Sequence, residues 1–291
     1  MTTKILVTGA NGQLGNEIKL ISRKHSDIHF YFTDVDELDI TQITHVENFL
    51  KENPVDIIIN CAAYNAVDKA EEDEESAFMI NSIAVKHLSQ LAFQKKIFLI
   101  HVSTDYVFDG IKNMPYTESD IVNPLSIYAR SKQEGESQIQ STLKRGIIIR
   151  TSWLYSEYGN NFVKTIIKFA KDRDALNVVC DQVGTPTYAK DLAEVIFKLI
   201  SRTNKIREVE IYHYSNEGVA SWYDFAKAIV EISGINCQIN PVETKNFPLP
   251  AHRPFFSILN KSKIKKFLDI DIPYWRESLK DCLQNINNYS D

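Results

Sequence analysis

Five short apolar runs, KILVT (4–8), IHFYF (28–32), VDIIIN (55–60), IFLIHV (97–102) and GIIIRT (146–151), are spaced along the first half of the chain by stretches long enough for helices. Runs of this length without polar alternation suit strands buried on both faces. Between them, residues 13–24, 42–53, 74–95 and 127–143 carry apolar side chains at helical spacing, as in Ala77, Ile80, Ala84, Leu88 and Leu91. Strict strand-helix alternation admits few folds, and it predicts a doubly wound α/β protein with a parallel, Rossmann-type sheet. Past Trp153 the regularity loosens. Helices are expected near 161–172, 189–201 and 221–233 and short strands near 176–180 and 209–214, followed by the Pro-studded PLPAHRPFF (248–256). The expected organisation is one domain over 1–155 and a smaller α/β lobe over 156–291, with some segments of the second returning to the first and a cleft between them.

Charge narrows the ligands. The 33 Lys and Arg against 38 Asp and Glu leave a net charge of -5, and the basic residues are scattered, which argues against nucleic acid and anionic membranes as partners. Cys61, Cys180, Cys237 and Cys282 lie far apart, with no ligand-like spacing to the seven histidines, so neither a disulfide framework nor a zinc site is expected. The N-terminus enters a strand pattern by residue 4, and no apolar run approaches the ~20 residues that span a bilayer. The expectation is a cytoplasmic protein.

Directly after the first strand comes TGANGQLG, with Gly9, Gly12 and Gly15 at intervals of three. A backbone that turns sharply off a strand, approaches a pyrophosphate and packs the next helix on the sheet has no room for side chains at those steps. Amides at the helix start, from Gln13 and Leu14 onward, then attract phosphate, with Asn11 in the turn. This placement points to dinucleotide binding in the first domain. Asp34 ends the second strand 19 residues after Gly15, where an acidic group commonly binds an adenosine ribose. Its carboxylate would accept from a 2′-hydroxyl and repel a 2′-phosphate, which favours NADH; an exposed turn aspartate is the alternative. Asp39 and Ile40 would lie along the adenine side, although helix capping around Asp39 explains that residue equally well. Ala62 and Ala63, after the third strand, suit either cofactor contact or tight packing.

Tyr128 and Lys132 stand four apart on a predicted helix, and so share one face. A free phenol has a pKa near 10 and transfers protons sluggishly at neutrality; a neighbouring ammonium favours phenolate and brings it closer to working range. Lysine can also hold a nicotinamide ribose. The fourth strand delivers Ser103, Thr104, Asp105 and Tyr106 to the carboxyl edge of the sheet, where ligands of parallel sheets bind.

Thr104, Tyr128 and Lys132, with the TGxxGxxG spacing, resemble the catalytic constellation of the extended short-chain dehydrogenase/reductase family. STDYVFDG, AVDKAE, NPLSIYARSK, RTSWLY, GNNFVKT, DQVGTPT and AHRP resemble the dTDP-4-dehydrorhamnose reductases within it, across nearly the whole chain. The resemblance implies hydride transfer from NADPH or NADH to C4 of a dTDP-linked 4-keto-6-deoxy sugar. Tyr128 would then act as proton donor, Thr104 would bond the same oxygen, and Lys132 would hold the ribose. It places Tyr64 beside the cofactor and Asn65, Val67, Asp105, Tyr106 and Trp153 at the sugar in a substrate-binding lobe; Trp153 as a core indole and Tyr106 as a packing residue are the alternatives. Arg253 would contact the diphosphate, or else form an ion pair.

This chain departs from the family at Tyr64 and Asn65, where an aromatic or histidine followed by threonine is usual. Some relatives form a dimer bridged by magnesium through glutamates. Glu17 fits one such position, but Lys190 falls at another, and an ammonium cannot ligate magnesium; a monomer or a homodimer is expected. A nucleotide-sugar 4,6-dehydratase or epimerase shares the fold and the Tyr/Lys pair, but dehydratases place an Asp-Glu pair where this chain has Asp105 and Tyr106. A non-catalytic protein like the regulatory β subunit of methionine adenosyltransferase is the alternative of another class.

Overall fold

A computed structural model describes residues 2–288. Strands β1 (Thr3–Thr8), β2 (Ile28–Thr33), β3 (Ile57–Asn60), β4 (Phe98–Thr104) and β5 (Gly146–Thr151) join the strand Val209–His213 in one sheet. Its order is Val209–His213, β5, β4, β3, β1, β2, and every pairing is parallel. The sheet is Rossmann-type, with helices on both faces.

The apolar runs lack polar alternation because both faces are covered. Ile5, Val7, Ile57, Ile59 and Ile100 pack towards helix α1 (Gln13–Ser22) and the helix Ala189–Ile200. Leu6, Ile58, Leu99 and Ile148 face the opposite layer, built from α2 (Ile43–Glu52) and the helices Ala84–Lys95 and Ile127–Thr142. Each such side chain contributes roughly 1.5–3 kcal/mol on burial, far more than strand propensity alone supplies. Residues beyond 155 add a strand and two helices, Ala189–Ile200 and Ser262–Leu268, to this layered core. A second core gathers Tyr155, Val163, Ile166, Leu176, Tyr188 and Phe225 around the parallel pair Ala175–Val179 and Gln238–Val242.

The stretch expected as one helix over 74–95 is interrupted. Glu74–Phe78 and Ala84–Lys95 are α-helical, but Met79–Ile83 forms a π-helical turn. The extra residue places Asn81 inward. Its amide accepts from Tyr64 N–H (2.9 Å) and donates to the Tyr64 carbonyl (3.1 Å) and to Ser131 Oγ (3.0 Å). One buried side chain thus pins the loop after β3 to the helix that carries Tyr128, a use typical of such turns. Apolar spacing persists through the turn, so periodicity alone cannot reveal it.

From β1 the chain runs outward to β2, then returns across β1 to β3. The crevice created by that reversal opens at the carboxyl ends of β1 and β3, where ligands bind in folds of this kind. Among the described residues, no helix is long and apolar enough to cross a membrane.

Candidate active site

The glycine loop forms one wall of a cavity of about 380 Å³ at that crevice. Gly9 adopts φ 66, and a Cβ there would come within 2.6 Å of Ala62 N, so the loops after β1 and β3 lie backbone against backbone. At Gly15 a Cβ would meet Ala10 Cα at 2.5 Å, which seats α1 directly on its own loop. Gly12 is the N-cap of α1 and offers no side-chain cap. First-turn amides without a side-chain acceptor beside a glycine floor suit a pyrophosphate, and the residues present fit a dinucleotide.

Of the nucleotide-binding candidates, Gly9, Gly12, Gln13, Leu14, Gly15 and Ala63 line the cavity. The Gln13 side chain also ties the glycine loop to the segment after β5, donating to the Leu154 carbonyl (3.3 Å) and accepting from Asn161 Nδ2 (2.9 Å) and Ser156 Oγ (3.2 Å). Asn11, Asp34, Asp39, Ile40, Ala62 and Tyr64 stand outside it. Asp34 accepts the amides of Asn11 and Val35, both at 2.8 Å, which holds its carboxylate at the end of β2. Asp39 accepts from the Thr41 amide and hydroxyl. Ile40 is buried in the core, Ala62 packs against the same layer, and the Tyr64 hydroxyl donates to Asp73 (3.1 Å).

The same cavity is lined by Thr104 and Asp105 at the end of β4, Tyr128 and Lys132 on the helix Ile127–Thr142, and Asn65, Val67, Tyr106 and Trp153. Ser126 caps that helix through the Ala129 amide (3.2 Å). Thr104 Oγ1 donates to Asp105 Oδ1 (3.1 Å) and lies against the Tyr128 phenol. The Tyr106 ring meets Tyr128 edge-on, 6.0 Å apart at 81°. Lys132 Nζ donates to the Val102 carbonyl (2.7 Å).

Burial governs the titrating groups here. It pushes the Tyr128 phenol up to about 12, opposed by the Thr104 hydroxyl. Lys132 falls to about 8 through burial, partly countered by the Glu136 carboxylate. The lowered phenol expected from a neighbouring ammonium is therefore not what this site has: burial raises it, the Asp105 carboxylate adds to that, and the group that opposes them is the Thr104 hydroxyl. Asp105 rises to about 7 through burial, against the hydroxyls of Ser257 and Thr104, and its Oδ2 has no hydrogen-bond partner among the described residues.

A second cavity, of about 780 Å³ and largely apolar, adjoins the first, and Val67, Tyr106, Phe162 and Trp222 line both. Arg253 lines the second and pairs bidentately with Asp68 (2.9 and 2.6 Å). Glu17, at the position the resemblance gives to a metal bridge, is buried against Glu157; burial and that carboxylate push it up to about 8, with Lys190 opposing.

Sequence reasoning missed Glu136, Arg150 and Trp222. Glu136 stands four residues after Lys132 on the same helix face, and that spacing was the available signal.

The family model of the RmlD substrate binding domain matches residues 3–288. A dTDP-4-dehydrorhamnose reductase of Aggregatibacter actinomycetemcomitans is 38% identical, with 99% of each chain covered. The spore coat polysaccharide biosynthesis protein SpsK of Bacillus subtilis is 39% identical over 99% of this chain and 100% of its own. Among solved structures, a dTDP-4-dehydrorhamnose reductase from Bacillus anthracis in complex with NADP superposes with a TM-score of 0.93 at 37% identity, covering 98% of this chain and 100% of that one. With the glycine loop, the strand-four threonine and the Tyr/Lys pair assembled in one cavity, these similarities show that the chain belongs to the dTDP-4-dehydrorhamnose reductase family.

Proposed function

We propose that this protein reduces the C4 carbonyl of dTDP-4-dehydro-L-rhamnose to dTDP-L-rhamnose, with NADPH or NADH as reductant, in nucleotide-sugar biosynthesis for cell-surface polysaccharide. The observation that carries this reading is the convergence of Thr104, Tyr128 and Lys132 in one cavity with the glycine loop. The reduced nicotinamide, when bound along that loop, supplies the hydride. Tyr128, with its pKa near 12, is a neutral phenol at physiological pH and can hand its proton to the carbonyl oxygen as negative charge grows there. Such general acid assistance is worth ~10²–10⁴-fold in rate. Thr104 turns its hydroxyl to the same oxygen. Lys132 spends one proton on the Val102 carbonyl and keeps two for a ribose and the phenol.

Asp105 Oδ2, buried and unpartnered among the described residues, accepts from a sugar hydroxyl. The nucleoside diphosphate extends into the second cavity, where Arg253 exchanges part of its pairing with Asp68 for phosphate oxygens. Asp34 favours an unphosphorylated ribose, whereas the Bacillus anthracis relative is described with NADP, so both reductants belong in the test. Four free cysteines suit a reducing compartment, and we place the protein in the cytoplasm.

Dehydration needs a second acid after Asp105. Tyr106 occupies that place as an aromatic wall against Tyr128, which favours plain carbonyl reduction. The test is to supply dTDP-4-dehydro-L-rhamnose with each reduced coenzyme. Coenzyme oxidation matched by dTDP-L-rhamnose formation is expected; binding of coenzyme without consumption of the keto sugar would contradict the reading.

A further inference from the structure

Trp153 is the residue of the cavity wall, other than glycine, whose backbone lies in the left-handed region, with φ 46. The other non-glycine residues with positive φ, Lys96 and Asp269, cap helix C-termini, where that conformation is ordinary. Trp153 caps no helix. An L residue with a bulky side chain is disfavoured there, so its surroundings must hold it.

What holds it is visible. The Trp222 indole stacks on Trp153 with ring centroids 3.5 Å apart and planes 10° from parallel. A side chain at Gly184 would come within 2.8 Å of Trp153 Cε2, so the indole is gripped there as well. Trp222 rests in turn on Phe162 (4.6 Å), and Phe162 on the fully buried Phe225 (5.5 Å, 20°). The stack is thus rooted in the second core. Trp222 also opens the helix Trp222–Ser233, whose start is fixed by a capping box between Ser221 and Asp224. It is built as a fixed wall, not as a lid.

Location gives that wall a use. Trp222 lines both cavities, whereas Trp153 lines only the smaller one. A substrate with its sugar beside Tyr128 and its nucleotide in the larger cavity passes Trp222 at the junction. We propose that Trp222 is a positioning residue for the nucleotide sugar: it holds Trp153 in its disfavoured backbone conformation as a platform for the sugar, and it stays stacked there when substrate binds. This rests on the functional reading above.

Two indoles this close couple excitonically and give a bisignate circular dichroism band. That band is expected in the wild type, absent in Trp222→Phe, retained in Trp275→Phe, and retained when dTDP-L-rhamnose saturates the wild type. In Trp222→Ala, KM for the keto sugar rises about tenfold, equivalent to about 1.4 kcal/mol, while kcat and the KM for coenzyme change little; Trp222→Phe recovers most of the loss. If Trp222→Ala does not fold, the smaller KM rise in Trp222→Phe carries the test. An unchanged KM in the folded variants, or a band that vanishes on saturation, overturns the proposal. A wild type that binds dTDP-L-rhamnose but consumes no keto sugar would instead overturn the functional reading, and the band and binding affinities would still judge the role of Trp222.

Discussion

Ser103 Oγ donates a 2.5 Å hydrogen bond to Glu136 Oε1, and this contact ties the strand that ends in Thr104 to the helix that carries Tyr128 and Lys132. The same carboxylate accepts from Arg150 of β5 through Nε (2.9 Å) and Nη2 (2.6 Å), all of it buried. The network sets the relative position of two elements whose side chains, in the proposed reaction, meet one substrate oxygen.

Removing the carboxylate leaves Arg150 buried with its charge unpaired. Glu136→Ala is expected to lose about 3–5 kcal/mol of stability, measurable by urea unfolding. A loss below 1 kcal/mol would mean that Arg150 finds another partner or water.

Lys132 controls the alkaline side of the pH response. The proposed reduction needs a protonated Tyr128 and a charged Lys132, and with values near 12 and 8 it is the lysine that titrates first. The expected kcat/KM profile falls above about pH 8, as Lys132 loses its proton, and changes again on the acid side near 7, where Asp105 takes one up. Because Glu136 raises the Lys132 pKa, Glu136→Gln moves the alkaline limb to lower pH. For folding the sign is opposite. The folded value lies below the ordinary 10.5, so between about 8 and 10.5 the unfolded chain holds more protons, and this group's contribution to stability rises with pH.

Two glycines of one loop should respond differently. A Cβ at Gly15 meets backbone at 2.5 Å, so Gly15→Ala destabilises by about 1–3 kcal/mol and weakens coenzyme binding as the loop shifts. At Gly12 the nearest atom is Gly9 O at 3.2 Å, a tight but tolerable contact. Gly12→Ala should therefore fold with near wild-type stability while its methyl obstructs the pyrophosphate. Calorimetric titration with NADPH and NADH, beside thermal unfolding, separates the two effects.

The parts legible in the sequence were those encoded locally. Apolar runs without alternation mark strands covered on both faces, as at Ile57–Asn60; glycines between a strand and a helix mark the loop that lines the cavity; Tyr128 and Lys132 share a face by spacing alone. What depended on distant partners was not legible. A glutamate on a helix reads as solvent-facing, and Glu136 is buried only because β5 brings Arg150 against it. Trp153 reads as either core or ligand contact until Trp222, far along the chain, is placed on its face. The π-helical turn at Met79–Ile83 was hidden because its apolar residues keep helical spacing while Asn81 turns inward to hold Tyr64. The raised Tyr128 pKa is not legible because a sequence does not show the depth of burial that causes it.

Removal of one phenolic oxygen addresses the chemistry most directly. In Tyr128→Phe, single-turnover reduction of dTDP-4-dehydro-L-rhamnose should slow by ~10²–10⁴-fold, with coenzyme affinity nearly unchanged. A variant that reduces the sugar at close to the wild-type rate would show that the proton comes from another group.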